Sequence, residues 1–225
     1  MKLRVLAIGT HPDDIEIGCG GTIRLLADQG HEIKFIVVTS GEEGSINADK
    51  EQLRKNRKIE AKESAAVLGA SDVLFFDEPD GVTQTTKETK VNLVRIIREF
   101  KPEIVFIHSS HDCFPDHQVV SQLSKSAIQV AGGPWYGDAG LNPHNVRNVY
   151  GFEVWNPIQS PQMSVNIENS IDRKIHALNC HASQMESVNY VGAVRGLNEY
   201  RGAVTMSGKY AESFEVVKVE SLVCK

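Results

Sequence analysis

The sequence predicts an α/β fold, with an open, mostly parallel sheet covered by helices on both faces. Three observations support it. Short apolar, β-branched runs alternate with helical patterns through the first two thirds of the 225-residue chain. The runs are continuously apolar rather than alternating, as expected of parallel strands buried on both faces. Helix-stop signals separate the two kinds of segment, with Gly30 closing the first helical pattern and Lys101-Pro102 the third. The reading is Rossmann-like, which places an active site beyond the C-terminal ends of the strands.

The elements follow in order. Residues 4–8 form the first strand-like run, and residues 20–29 the first helical candidate. Strands are expected over 33–39, 73–76 and 104–108, alternating with helices over 51–68, 87–100 and 115–131. Gly132-Gly-Pro-Trp-Tyr-Gly-Asp-Ala-Gly140 reads as a long loop. A strand over 149–154, a helix over 170–181 and a terminal strand over 214–219 are expected to complete a single domain spanning residues 1–225.

A hydrophobic content of 41% and a charged content of 24% fit a globular protein. The net charge of −5, without a concentrated basic run, argues against nucleic acid as a partner. No run approaches the roughly 20 apolar residues of a membrane span, and Met1-Lys-Leu-Arg enters a strand without a signal-peptide pattern. Cys19, Cys113, Cys180 and Cys224 are scattered, with no CxxC pair. A cytoplasmic protein with free thiols is expected.

The first strand runs directly into Thr10-His-Pro-Asp-Asp-Ile-Glu-Ile-Gly-Cys-Gly-Gly-Thr22. Gly18-Cys-Gly-Gly21 resembles a nucleotide-binding turn, but the GxGxxG spacing is absent and carboxylates would repel a pyrophosphate. A divalent cation would reverse that electrostatics and hold His11 with a carboxylate. A polar turn with an Asp capping the next helix is the plainer alternative. A second segment, His108-Ser-Ser-His-Asp-Cys-Phe-Pro-Asp-His117, also lies between an apolar strand and a helix. If strands one and four are neighbours, the two loops meet at the switch point of the sheet.

Taken together, these motifs resemble the PIG-L/LmbE-like family of metal-dependent N-acetylglucosamine deacetylases. The resemblance rests on His11-Pro-Asp-Asp14 with Gly18-Cys-Gly-Gly-Thr22 and on Pro115-Asp-His117. Thr39-Ser-Gly-Glu42, Arg57-Lys-Ile-Glu-Ala61, Pro79-Asp-Gly81, Ser183-Gln184 and Tyr210-Ala-Glu-Ser-Phe214 support it in the expected order. It implies that His11, Asp14 and His117 hold zinc, or another divalent ion such as Fe2+. It further implies that Asp13 is the general base and that Arg57 and Asp80 contact an amino-sugar substrate. Relatives often assemble, so a homo-oligomer is compatible with it. Without the resemblance, Arg57 and Glu60 could be a helix-surface pair, and Asp80 part of an Asp-Gly turn.

One departure matters. Many family members have His-Pro-Asp-His in the second motif, where the first histidine serves as acid or oxyanion stabiliser; here that residue is Phe114. Asp13 could carry the proton both ways, or His111 or His144 could enter the vacancy. A zinc-retaining sugar-binding or regulatory protein with little hydrolysis is the alternative. Asn145 stands where relatives often carry arginine. Trp135 and Tyr136 could stack on a sugar or pin their loop. His31 is expected to be exposed, and His176 and His181 to be structural.

Overall fold

The computed structural model describes residues 2–185 and 188–220; Cys224 lies outside them. Among the described residues, seven strands form one sheet: β1 (Arg4–Gly9), β2 (Glu32–Thr39), β3 (Asp72–Glu78), β4 (Ile104–His108), β5 (Asn148–Phe152), β6 (Met163–Asn166) and β7 (Ala211–Lys218). Their order is β3-β2-β1-β4-β5-β7-β6. The first five run parallel, and β7 pairs antiparallel with both β5 and β6. β1 and β4 are neighbours, so the chain reverses its direction of travel between them.

Side chains of β1 alternate between two cores, as the two-residue period of a strand requires. Leu6 and Ile8 pack under α3 (Lys87–Phe100) and α4 (Pro115–Ala131). Val5 and Ala7 pack under α1 (Asp14–Asp28), α2 (Lys50–Leu68) and α5 (Ile171–Asn179). A third cluster joins α5 to α7 (Tyr190–Val204) through Ile171, Ile175 and Val194. A short helix, α6 (Ala182–Met185), lies between them. Among the described residues, no helix is long and apolar enough to cross a membrane.

β6 and α6 were not expected from the sequence, β7 begins three residues earlier than expected, and two longer helices need correction. The first helix begins at Asp14, six residues before the expected start, so Gly18-Cys-Gly-Gly21 is helix and not turn. The glycines are there for close approach: a Cβ on Gly18 would lie 2.2 Å from the Phe152 ring, and one on Gly21 2.8 Å from Ile167. The second correction concerns α7, a helix that the periodicity did not reveal. Gly192, Gly196 and Gly202 dilute its helix propensity. It is held instead by tertiary bonds from Asn198 to the Ala211 carbonyl and from Arg201 to Glu153.

Candidate active site

The loops after β1 and β4 meet at the switch point. α4 starts with Pro115 at its first position, where a missing N–H costs nothing, and this turn presents His117. His11 Nδ1 lies 3.1 Å from His117 Nε2 and 3.4 Å from Asp14 Oδ2, while His117 Nε2 lies 3.4 Å from Asp14 Oδ1. Ligand bonds of about 2.0–2.2 Å in a tetrahedral site give ligand–ligand edges of about 3.4 Å. One ligand atom from each of the three side chains lies within 4.8 Å of the other two, a spacing compatible with one divalent cation and a fourth position left for water or substrate.

Their surroundings suit it as well. His11 Nε2 faces Asp80 Oδ1 at 2.9 Å, and His117 Nδ1 faces Asp112 Oδ2 at 3.2 Å. A carboxylate behind each imidazole fixes its orientation and raises its basicity as a ligand. Asp14 Oδ2 accepts from the backbone N–H groups of Thr10 (3.0 Å) and His11 (2.6 Å), leaving Oδ1 toward His117. Asp80 Oδ2 accepts from Glu43 N, and Asp116 Oδ2 from Gly81 N and Thr83 Oγ1, which pins the Asp80 loop against α4.

Adjacent carboxylates experience opposite environments. Burial opposes charge on both. At Asp14 the imidazoles of His117 and His108 outweigh burial and hold the carboxyl well below its usual range. At Asp13 burial prevails over the Arg57 guanidinium, and the pKa is pushed up to about 6. Burial would lower His11, but the carboxylates of Asp14 and Asp80 raise it to about 10. A site that gathers positive charge in this way is compatible with a cation.

Asp13 occupies the N-cap position of α1, yet its carboxylate makes no capping bond, so the helix-cap reading fails. Its φ of 129° is a conformation that non-glycine residues rarely adopt. Such strain costs about 1–3 kcal/mol and persists only where neighbours enforce it. Arg57 is one of those neighbours. It is buried, and its guanidinium donates to Asp13 Oδ2 (3.2 Å), the Pro12 carbonyl (2.6 Å) and the Gly41 carbonyl (2.9 Å). Glu60 instead accepts from Ser183 N and Oγ. The Arg57/Glu60 surface pair does not form.

His11, Asp13, Asp14, Arg57 and Asp80 line one cavity of about 180 Å³, together with Phe114, Trp155, Gln184 and Tyr190. His117 lies beneath it, fully buried. Neither histidine considered for the Phe114 vacancy lines this cavity. His144 Nε2 bonds the Pro102 carbonyl, at the opposite end of β4. His111 lines a separate cavity with Asn156 and Glu215. Asn145 is likewise remote, accepting from Lys218. Trp135 and Tyr136 hold the loop after α4, their carbonyls bonded to Arg98. His31 is half-buried and accepts from Leu3 N.

Sequence reasoning missed several residues. Asp112 holds Phe114 N and Trp155 N as well as facing His117; its place between the two motif histidines was the available signal. His108 is buried and stacks on His117 at 4.1 Å, and burial together with His117 pushes its pKa down to about 4. Nothing local in the sequence marked Trp155 or Tyr190. His181 is fully buried, 3.5 Å from Glu16 Oε1, and neither ring nitrogen has a hydrogen-bond partner among the described residues.

A His–Asp–His cluster suited to a cation, with a second carboxylate beside it at the switch point of an α/β sheet, is an arrangement compatible with metal-assisted hydrolysis. The chain belongs to the PIG-L family, whose sequence pattern, described as GlcNAc-PI de-N-acetylase, matches residues 6–128. It is 32% identical to diacetylchitobiose deacetylase from Thermococcus kodakarensis over 190 residues, covering 80% of this chain and 70% of the relative. The crystal structure of N,N′-diacetylchitobiose deacetylase from Pyrococcus horikoshii superposes with a TM-score of 0.85 at 26% identity, covering 95% and 83% of the two chains. A 4-carboxy-2-hydroxymuconate hydratase from Pseudomonas putida superposes at 0.87 with 27% identity, covering 98% of each.

Proposed function

We propose that the protein is a zinc-dependent deacetylase that removes the acetyl group from an N-acetylglucosamine-type sugar or glycoconjugate in the cytoplasm. The observation that carries this reading is the unequal treatment of two adjacent carboxylates. Asp14 lies among imidazoles that hold its carboxyl well below the usual range, and Asp13 has one ion-pair partner and a pKa pushed up to about 6. His11, Asp14 and His117 would hold the zinc. When bound, the ion lowers the pKa of a water and polarises the acetamide carbonyl.

Asp13 accepts a proton from the attacking water and later returns it to the departing nitrogen, so that acetate and a free amine leave. One residue can do both because the steps are sequential, the proton taken in the first being the one returned in the second. Arg57 acts as a positioning residue, holding the strained Asp13 turn from behind while lining the cavity floor. Asp80 orients His11, and its place on the cavity wall suits a sugar hydroxyl. Tyr190 is a further donor, since burial and the Asp13 charge keep its hydroxyl protonated.

The hydratase relative supports a second reading, water addition to a carboxylated muconate. The charge of the cavity argues against it. Among the described lining residues, Arg57 is the one permanent cation, facing Asp13, Asp14, Glu43 and Asp80, and both terminal nitrogens of its guanidinium are already bonded to Gly41, Pro12 and Asp13. A neutral acetamido sugar suits that wall better than a polyanion. The relatives named as deacetylases likewise disfavour a purely sugar-binding role.

The test is acetate release by zinc-loaded protein from a panel of N-acetylhexosaminides, with the carboxymuconate run beside it. Turnover of an acetamido sugar, lowered by about 10²–10⁴ in Asp13→Asn while zinc is retained, is expected. Zinc binding with no acetate from any member of the panel would overturn the reading, and turnover of the muconate alone would install the second.

A further inference from the structure

The cavity at the His–Asp–His cluster continues into a second one. Ile17, Val154, Trp155 and Tyr190 line both, and the second, of about 210 Å³, is completed by Ala193, Val194 and Leu197 of α7. Its walls hold no charged side chain, and the Tyr190 hydroxyl and Trp155 indole N–H are their polar side-chain groups among the described residues. Residues 190, 193, 194 and 197 follow the i, i+3, i+4, i+7 spacing of a single helix face, so α7 turns an apolar stripe into this cleft.

Aromatic contacts link the two spaces. The Phe114 ring meets His11 edge-on at 5.6 Å and lies 6.4 Å from Trp155, which in turn meets Tyr190 at 6.0 Å. Phe114 and Trp155 remain 39% and 47% exposed, which leaves an apolar wall open to solvent beside the cluster. The cleft is also rigidly built. Arg201 of α7 donates to both oxygens of Glu153 (2.9 and 2.6 Å) and to the Ile158 carbonyl, while Ile158 N donates to Glu153 Oε2. One buried ion pair thus clamps the helix to the loop that carries Val154 and Trp155, fixing both walls.

We propose that this cleft is a substrate subsite for an apolar group, of phenyl size or a short alkyl chain, attached to the molecule whose amide lies at the His–Asp–His cluster. The subsite rests on the deacetylase reading of the adjoining cavity. Its size fits, because an apolar cavity of about 150 Å³ already holds benzene. Its continuity with the cluster means that such a group need not be a separate ligand. The apolar group can come from the aglycone side of the sugar or from the acyl side of the amide. In either case Phe114 is part of the binding wall, which gives its apolar character a role where a polar residue would interrupt the path.

Calorimetric affinities of reaction products separate the two sources without turnover. With zinc-loaded full-length protein, phenyl glucosaminide is compared with glucosamine for the aglycone side, and benzoate with acetate for the acyl side. Each buried methylene is worth roughly fourfold, so the apolar member of one pair is expected to bind at least tenfold more tightly. Ala193→Asp, at an exposed position of the stripe, should bring that ratio within twofold of one, and Ala193→Trp should do the same by filling the cleft. Ratios near one for both pairs, or a preference unchanged in both variants, would overturn the subsite. Failure of the deacetylase reading would show separately, as a preference that persists in protein releasing no acetate.

Discussion

At the end of the sheet where the parallel strands begin, Arg98 of α3 is buried and satisfied. Its three guanidinium nitrogens contact the carbonyls of Val130, Ala131, Gly133, Trp135, Tyr136 and Gly140 at 2.7–3.4 Å, binding the loop after α4. At the other end, Asp13 is also buried, yet its carboxylate forms a single ion pair, at 3.2 Å, and makes no capping bond to the helix it begins. Both arrangements put charge where water is scarce. The saturated one secures a fold, and the undersatisfied one keeps a group available for chemistry.

Exchanging the charge at each end should therefore damage different properties. Asp13→Asn should lower kcat by about 10²–10⁴, the usual worth of a general acid–base group, with bound zinc and melting temperature maintained. Arg98→Met should do the reverse. It leaves several carbonyls unsatisfied at roughly 1–3 kcal/mol each, so a stability loss above about 3 kcal/mol is expected in urea melts, with kcat per folded molecule unchanged. Should Arg98→Met abolish turnover in folded protein, the two ends are not independent. The ligands form a third case. His11→Ala, Asp14→Ala and His117→Ala should each deplete zinc measured by atomic emission, unlike Asp13→Asn.

The same contrast explains what could be read from the sequence. Strands β1 to β5 and helices α2, α3 and α4 were legible because their burial is written into local periodicity, and the β1–β4 pairing is the one expected if the strand order reverses at β1. The motif histidines and carboxylates were legible as a group. What escaped depends on contacts distant in sequence. Glu153 and Arg201 are 48 residues apart, and α7 is secured by that pair against its own glycines. Trp155 reaches the cavity because Asp112, 43 residues earlier, holds its backbone. Glycine was misread for a related reason. At 18 and 21 it signals contact with Phe152 and Ile167, and only the fold distinguishes that from a turn.

Gly18→Ala tests this packing reading. The added Cβ would meet the Phe152 ring at 2.2 Å and the Glu153 carbonyl at 3.0 Å, in a region where the sheet cannot easily give way. Overpacking of this kind costs typically about 1–3 kcal/mol, against the fraction of a kcal/mol that alanine gains over glycine in a helix. A net loss of stability in denaturant titrations is expected. A stabilised variant would mean that α1 stands further from β5 than its packing indicates.

Phe114→His is expected to have the smallest effect, and it addresses the residue that departs from the family pattern. If Asp13 carries the proton in both directions, a histidine here adds a group the reaction does not require, and kcat for an N-acetylhexosaminide should change by less than tenfold. Stability should hardly move, because Phe114 is 39% exposed and packs edge-on against His11 rather than filling the core. Substitution should nevertheless weaken any preference for substrates with apolar groups, since the ring lies between His11 and Trp155. A rise in kcat of a hundredfold or more would show instead that the cavity lacks an acid that histidine restores, and the single-carboxylate mechanism would then be wrong.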